Sequence, residues 1–294
     1  MVNVKKKPGR RIAGNKKMDK KIKKVLFIIN PISGINRRQG RIGDLIHQQF
    51  NNSGIQYEIV NTSHQGHGTT LAKEAVDNEF DMVVATGGDG TINEIGRGLV
   101  GSETALGIIP AGSGNGFSRN MKIPLAPRAA IELLRHPRLK EIDVGKINDH
   151  YFFNIAGIGI DAEITAKFNS YPIRGPLPYF IVGIREFFRF RPQPVSLHLE
   201  EREVKRSPIL LCFANLPEYG VNAIIAPKAR PDDGLVDICI LSPVNMAKAL
   251  INIPKLFNGK IEDLSEMEIF QTRKAVIHRE DNGPIHTDGD LYFE

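Results

Sequence analysis

The stretch from Asp81 to Ile95, DMVVATGGDGTINEI, constrains the fold of this chain more than any other. It begins with an apolar run, Met82 to Ala85, which is typical of a strand buried on both faces. Three glycines in four positions follow, and the residues after Thr91 have the periodicity of a helix. A buried strand that leads through a turn into a helix is characteristic of a parallel sheet with crossover connections.

The glycine turn has the features of a phosphate-binding loop. Glycines remove Cβ atoms where the backbone must turn, so a ligand can approach closely. The start of the following helix offers unpaired N–H groups and a positive dipole end, which favour an anion. The carboxylate of Asp89 would repel a phosphate unless Mg²⁺ or a hydroxyl proton mediates, so this loop favours phosphoryl transfer over simple anion binding.

Further strands and helices alternate around this unit. Apolar or alternating runs predict strands at 25–29, 55–61, 82–85 and 106–109, and helical spacing predicts helices at 37–50 and 69–78. In a parallel sheet of this kind, ligands bind at the carboxyl ends of the strands. Loops rich in Gly, Ser or Thr follow those ends at 30–34, 62, 87–91 and 112–116.

Two common nucleotide-binding patterns are absent from this first half. The dinucleotide pattern G-x-G-x-x-G does not follow the first strand, where N-P-I-S-G stands instead, and no acidic residue ends the second strand. The Walker A pattern is also missing. A less common nucleotide motif is therefore required.

From about residue 142 the pattern changes to short runs rich in β-branched and aromatic residues, separated by turn signals. This predicts a mostly antiparallel β-sandwich. The predicted fold class is α/β, with a parallel-sheet nucleotide domain at 25–142 and a β-sandwich domain at 143–294.

Basic residues are concentrated in residues 1–24, which hold eleven of the 39 Lys and Arg together with one Asp. The rest of the chain therefore carries a net charge of −4, although the whole chain carries +6. We expect this segment to be a disordered tail, either a tether to anionic phospholipid or a solubilising arm. A nucleic-acid-binding fold would spread its positive charge over a folded surface, so no nucleic-acid partner is predicted.

Membrane contact is expected to be peripheral, because no apolar run approaches the ~18 residues that a membrane-spanning helix needs. The segment Tyr179 to Arg191 has an aromatic stripe at helical spacing. It would either lie on a membrane surface or pack on a sheet. Cys212 and Cys239 lie in apolar runs without metal-ligand spacing, which is typical of buried reduced thiols in a cytoplasmic protein.

Seven motifs together resemble the diacylglycerol kinase catalytic-domain family, the lipid kinases that include bacterial diacylglycerol kinases and sphingosine kinases. They occur in the family's order and cover the chain after residue 24. The motifs are N-P-I-S-G (30–34), Thr62, G-G-D-G-T-I-N-E (87–94), G-S-G-N (112–115), G-I-G-I-D-A (157–162), P-D-D-G-L-V-D (231–237) and D-G-D (288–290). The family's fold, an α/β nucleotide domain followed by a β-sandwich, is the architecture that the residue pattern predicts independently.

The resemblance implies an ATP site in the first domain. Its residues would be Asn30, Pro31, Ile32, Ser33, Gly34, Thr62, Gly87, Gly88, Asp89, Gly90, Thr91, Ile92, Asn93 and Ser113. Asp89 would act near the γ-phosphate and hold a catalytic Mg²⁺ directly or through water. Asp290 would take the proton of the lipid hydroxyl, in a D-G-D where bacterial members have D-G-E, so its side chain is one methylene shorter.

The resemblance also implies a structural Mg²⁺ on the second domain, held by the Asp233 carboxylate and the carbonyls of Arg230 and Leu235. An ordinary turn before a strand is the alternative for this segment. Asp161 would meet the lipid headgroup or form a structural hydrogen bond. Among the histidines, His286 is singled out because it is close to Asp288 in the sequence.

Two departures from the family pattern affect these predictions. Gly116 stands where some bacterial members have an acid, so this loop is more similar to that of sphingosine kinases. Members usually continue for one or two strands beyond D-G-E, whereas this chain ends at Glu294, so a truncated chain is expected. The predicted function is an ATP-dependent kinase of diacylglycerol or a sphingoid base. The alternatives are an NAD kinase-like enzyme and a catalytically idle regulator that binds nucleotide or lipid.

Overall fold

The computed structural model describes residues 1–7, 21–34, 42–169, 189–200, 202–219 and 222–293. The chain divides into two compact units. We call Arg10–Glu141 the α/β unit, and Met1–Gly9 together with Ile142–Glu294 the β-sandwich unit.

Each unit has its own set of elements. The α/β unit contains β2 (Lys24–Ile29), α1 (Ile42–Phe50), β3 (Gln56–Asn61), α2 (His67–Asp77), β4 (Met82–Gly87), α3 (Asp89–Leu99), β5 (Ala105–Pro110), α4 (Gly116–Asn120) and α5 (Pro127–Arg135). The β-sandwich unit contains β1 (Val2–Lys7), β6 (Val144–Ile147), β7 (His150–Phe152), β8 (Ile155–Gly159), α6 (Ile160–Asn169), β9 (Val195–Leu199), β10 (Glu203–Arg206), β11 (Leu210–Ala214), β12 (Val236–Leu241), α7 (Met246–Phe257), β13 (Met267–Thr272), β14 (Lys274–Arg279), β15 (Pro284–Thr287) and β16 (Asp290–Phe293).

The α/β unit is built on a parallel sheet with the strand order β3-β2-β4-β5. All six residues of β4 are buried, as expected for a central strand covered on both faces. Phe27 of β2 packs edge-on against Phe50 of α1, with the ring centroids 5.0 Å apart. Because the strands are parallel, the loops that follow them lie at one edge of the sheet.

The β-sandwich unit consists of two antiparallel sheets. The first sheet has the order β10-β9-β14-β1-β6-β7, and the second has the order β13-β12-β11-β8-β15-β16. One hydrophobic core contains inward-facing side chains of both sheets, among them Val4 and Ile277 of the first and Phe213 and Ile238 of the second. The predicted fold class, a parallel-sheet domain and a β-sandwich, is confirmed.

The first strand was not predicted. Val2–Lys7 lies inside the first sheet, antiparallel to β14 on one side and to β6 on the other. Val2 and Val4 are each 1% exposed and Lys6 is buried too, whereas Lys5 faces outward. The expectation of a disordered tail is therefore wrong for these six residues, because two valines at alternating positions suffice for a strand that is paired on both edges.

Two other predicted segments fall partly or wholly outside the described residues. The predicted helix at 37–50 is described from Ile42 onward, as α1. The aromatic stripe at 179–191 lies almost entirely within 170–188, which is not described. Within the described ranges, no helix is both long and apolar enough to span a bilayer.

Replacing Val4 with Ala will test whether β1 is part of the folded β-sandwich unit. The buried side chain loses two methyl groups inside the core, so the free energy of unfolding should fall by about 2 kcal/mol. Denaturant unfolding of Val4→Ala measures this, with Asn3→Ala as the control on the exposed face of the same strand. Equal stability of the two variants would contradict the pairing of β1.

Candidate active site

The loops at the carboxyl edge of the parallel sheet are joined by Asn30. Its side-chain amide donates to the hydroxyl of Thr91 at 3.0 Å and its side-chain oxygen accepts the N–H of Ile32 at 3.1 Å. Its backbone N–H donates to the carbonyl of Thr86 at 3.0 Å. One asparagine therefore holds the loop after β2 against both β4 and the first turn of α3.

Asp89 joins the glycine turn to the next loop. Its two carboxylate oxygens accept the N–H groups of Gly116 and Phe117, both at 3.0 Å. The residue as a whole is half-buried, yet its carboxylate is enclosed enough that burial raises its pKa above the usual aspartate value. The backbone hydrogen bonds from Phe117, Gly116 and Asp89 itself, together with the charge of Arg119, partly oppose this rise in pKa.

Glycine is required in these loops because backbones pack closely there. A Cβ on Gly112 would lie 2.5 Å from the Cα of Gly88, and a Cβ on Gly87 would lie 2.3 Å from the Thr91 hydroxyl. Both distances are below any normal contact. The sequence predicts that these glycines make room for a ligand. Gly88 and Gly112 also allow the two loops to pack against each other.

Two buried hydroxyl groups lie close in sequence to these loops, one on Thr86 at the end of β4 and the other on Ser118 in α4. Among the described residues, neither hydroxyl has a hydrogen-bond partner. Buried polar groups are usually hydrogen-bonded, so such groups mark places where a ligand or water fits. Their presence beside the glycine loops is consistent with an edge that accepts phosphate.

The remaining residues of the predicted ATP site differ in their exposure. Thr62 is half-buried, and its N–H donates to the Ile29 carbonyl at 2.9 Å. Ser113 is exposed on its loop. Ile92 and Asn93 are buried in α3, so their side chains support the loop from within the unit. The exposed residues of the first loop are Pro31, Ile32 and Gly34, with Ser33 half-buried.

In the β-sandwich unit, Asp161 is the centre of a buried polar cluster. One carboxylate oxygen accepts the Tyr219 hydroxyl and contacts His286 Nε2, both at 2.9 Å, and the other accepts the N–H of Ala162. Asp161 is 4% exposed. Tyr219 and His286 were not predicted as its partners, since strand pairing rather than sequence proximity brings them together.

The two aspartates of D-G-D have different environments. The Asp288 carboxylate accepts three backbone N–H groups, those of Phe153, Asn154 and Ile155, at 2.7 to 2.9 Å. Asp288 itself has a left-handed backbone, with φ of 51°. It anchors the turn that presents Asp290, the half-buried first residue of β16. The sequence contains no signal that distinguishes the anchoring aspartate from the presented one.

The residues predicted to hold a structural Mg²⁺ surround the ammonium group of Lys6. Lys6 Nζ lies 2.7 Å from the carbonyl oxygen of Arg230, 2.5 Å from that of Leu235 and 3.1 Å from Asp233 Oδ1. These oxygens therefore already bind a cation that belongs to the chain. Within the described part of the chain, no group of three His, Cys, Asp or Glu side chains is arranged to hold a metal.

A further acid lies close to this group. Asp237 is buried, and burial raises its pKa to about 6, with the charge of Asp233 adding to the rise in pKa. The hydrogen bond from Gln271 and the charge of Lys6 act in the opposite direction and lower the pKa of Asp237.

Comparison with known proteins identifies the family to which this chain is similar. Residues 24–147 match the Diacylglycerol kinase catalytic domain, and residues 154–292 match the YegS C-terminal NAD kinase beta sandwich-like domain. The fold is similar to a solved structure from Bacillus anthracis str. Sterne, with a TM-score of 0.77, 26% identity, and coverage of 94% of this chain and 93% of that one.

Two curated relatives support the same assignment. The diacylglycerol kinase of Mycobacterium tuberculosis (strain H37Rv) is 31% identical over 284 residues, which cover 92% of this chain and 89% of the relative. The diacylglycerol kinase of Bacillus subtilis (strain 168) is 29% identical over 276 residues, which cover 92% and 90%. The chain belongs to the diacylglycerol kinase catalytic-domain family of lipid kinases.

The close approach of the glycine loops can be tested with Gly112→Ala. The added methyl group would collide with the backbone of Gly88, so the loops must separate and the unfolding midpoint of the α/β unit should fall by several degrees. Thermal unfolding measures this. Gly114→Ala is the control, because a Cβ there meets Asp89 only at 3.6 Å. A Gly112→Ala protein as stable as Gly114→Ala would argue against the packed arrangement.

Proposed function

We propose that this chain is an ATP-dependent lipid kinase that transfers the γ-phosphate of ATP to a hydroxyl group of diacylglycerol or a sphingoid base. Membership of the family supports a lipid kinase. The observation that carries the proposal is Asp89, an acid held by the N–H groups of a second loop at the carboxyl edge of a parallel sheet. In a simple anion site the charge of this carboxylate would repel the ligand, whereas a Mg²⁺ ion between carboxylate and phosphate would offset that repulsion.

On the nucleotide side, the loops at 30–34, 87–91 and 112–116 would bind ATP. Their glycines leave room for phosphates, and the hydroxyl groups of the half-buried Thr62 and the exposed Ser113 are donors suited to phosphate oxygens. Asp89 would hold Mg²⁺ directly or through water, because its carboxylate is the acidic group of this loop cluster and is fixed there by the next loop. When bound, the metal ion would neutralise phosphate charge.

On the acceptor side, Asp290 would take the proton from the lipid hydroxyl. A general base must be held in position, and the three hydrogen bonds of Asp288 fix the turn immediately before Asp290. Asp161 would contribute to substrate binding indirectly. Its contact with His286 connects α6 to β15, the strand that leads into this turn, and its bond to Tyr219 connects α6 to the segment after β11.

The acceptor also defines where the enzyme would act. Diacylglycerol and sphingoid bases reside in a bilayer, so we propose that the protein is cytoplasmic and makes peripheral contact with the inner membrane face.

A side-by-side assay with labelled ATP tests the proposed function. Diacylglycerol, sphingosine and NAD would be offered separately, with the lipids in mixed micelles. Phosphorylation of either lipid, with none of NAD, is expected. Phosphorylation of NAD alone would replace the proposal with an NAD kinase. Nucleotide binding without phosphorylation of any acceptor would indicate an idle regulator.

The two proposed catalytic aspartates are tested by Asp89→Asn and Asp290→Asn. Each substitution removes a negative charge with little change in shape, and lipid phosphorylation should fall by roughly 100-fold or more. Asp149→Asn is the matched control, because that side chain is 95% exposed in the turn between β6 and β7. Lipid phosphorylation at the wild-type rate by either active-site variant would remove that aspartate from the mechanism.

The length of the proposed base is tested by Asp290→Glu. This change keeps the carboxylate and restores the D-G-E that bacterial members of the family carry. We expect lipid phosphorylation to be retained, in contrast to Asp290→Asn, because the acid can still accept the proton. Loss of kcat in Asp290→Glu equal to that in Asp290→Asn would indicate that position 290 acts through its shape and not as a base.

A further inference from the structure

We propose that the ammonium group of Lys6 is a built-in cation that serves in place of a divalent metal ion at the Arg230–Leu235 loop. Its hydrogen-bond partners are the carbonyls of Arg230 and Leu235 and the carboxylate of Asp233. The same three residues form the ligand set that the sequence assigns to a structural Mg²⁺. Two cations cannot occupy one ring of oxygens at these distances.

The ammonium group is fully satisfied at this position. Lysine has three N–H donors, and the three oxygens at 2.5, 2.7 and 3.1 Å use all of them. Asp143 Oδ2 lies 3.7 Å away and supplies a second negative charge. The Lys6 side chain is 0% exposed. A buried ammonium is stable only when it is paired and hydrogen-bonded in this way.

The oxygens around Lys6 also organise the surrounding backbone. Asp143 Oδ2 accepts the N–H of Gly234 at 2.8 Å, and the Asp143 N–H donates to the Pro231 carbonyl at 2.6 Å. Asp233 Oδ1 accepts the N–H of Leu235 at 2.9 Å. The cation therefore lies at the centre of a network that connects β1, the residue before β6 and the loop before β12.

The register of β1 in the sheet places Lys6 in this network. In the alternation of β1, Val2, Val4 and Lys6 point inward, and Lys6 is paired with Gly145 of β6, two residues from Asp143. A shift of one residue would turn Lys6 outward and bring Lys5 inward in its place. The position of the ammonium is thus specified by the same pairing that places the valines in the core.

The distances suit an ammonium group better than a divalent ion. Magnesium requires oxygens at about 2.0–2.1 Å in octahedral geometry and calcium requires six to eight oxygens at about 2.3–2.6 Å. The oxygens of Arg230 and Asp233 lie 2.7 and 3.1 Å from Lys6 Nζ, within the range of hydrogen bonds to nitrogen, and the Leu235 carbonyl is slightly closer at 2.5 Å. Without Lys6, however, two carboxylates and two carbonyls would face one space, which is a donor set that suits a hard divalent cation.

The wild-type protein gives the first test. Metal content would be measured by mass spectrometry after purification without chelator, and thermal unfolding would be followed in EDTA, in Mg²⁺ and in Ca²⁺. We expect no stoichiometric divalent metal and the same unfolding midpoint for the β-sandwich unit in all three conditions. One equivalent of metal retained by both the wild type and Asp89→Asn, or a lower midpoint of the β-sandwich unit in EDTA, would overturn the proposal.

Lys6→Ala gives the second test, with Lys5→Ala as the matched control from the exposed face of the same strand. Loss of the ammonium leaves two neighbouring carboxylates without their shared positive charge, so the midpoint in EDTA should fall by about 6 °C or more, and Lys5→Ala should change little. Mg²⁺ or Ca²⁺ should raise the midpoint of Lys6→Ala but not that of the wild type or Lys5→Ala.

Equal midpoints for Lys6→Ala and Lys5→Ala, or the absence of any rescue by divalent ions, would contradict the proposal. If Lys6→Ala does not fold in EDTA, folding restored by divalent ions supports the proposal. Lys6→Met retains the apolar stem and removes only the charge, so it separates loss of packing from loss of the cation. The metal content of the wild type, compared with that of Asp89→Asn, tests the proposal independently of either Lys6 variant.

Discussion

The hydrogen bonds that Asp89 accepts from Gly116 and Phe117 are the interaction on which the candidate nucleotide edge depends. They hold together two loops that come from adjacent parallel strands, β4 and β5. The loops can approach this closely only because Gly88 and Gly112 have no side chains. A carboxylate that repels phosphate is thus tolerated because it first binds the protein's own N–H groups.

The β-sandwich unit uses buried charge in the same way. Asp288 accepts hydrogen bonds from three backbone N–H groups, and Asp161 contacts a tyrosine and a histidine. Lys6 donates to two carbonyls and a carboxylate. Each of these groups connects segments that are distant in sequence. Asp290 differs because its neighbour Asp288 already provides the structural contacts of the turn. Asp288 of D-G-D thus stabilises the fold, and the role of Asp290 as a base stays a prediction.

The parts of the structure that the sequence predicts are those with local signals. The run Met82 to Ala85 and the glycines after it identify a parallel sheet with its ligand edge, because strand, turn and helix are contiguous. β1 lacks such a signal, since Val2 and Val4 are meaningful only beside Ile277 and Ile147, which are far along the chain. Clustering of charge in residues 1–24 also favours disorder when the segment is averaged as a whole.

The same limit applies to the candidate sites. The G-G-D-G-T motif predicts a phosphate-binding loop but not the residues that this loop contacts. The resemblance to a family adds the expected roles of Asp89 and Asp290. The partners of Asp161 could not be predicted, because Tyr219 and His286 reach it through pairing of β8 with β11 and β15. Lys6 could not be assigned either, since a lysine in a basic segment is usually a solvated charge.

The central position of β1 affects how the β-sandwich unit can be assembled during synthesis. The strand precedes both of its partners along the chain, because Val2 is paired with Ile277 and Val4 with Ile147. The α/β unit is made between these partners and is dominated by nearer contacts, so it can fold while the first sheet still lacks most of its strands. β1 can therefore pair with β6 once about half of the chain has been translated, but its other edge stays unpaired until β14 follows. The lysines beside the two valines protect a strand that still has an unpaired edge, because their charge keeps it soluble and disfavours pairing with other chains.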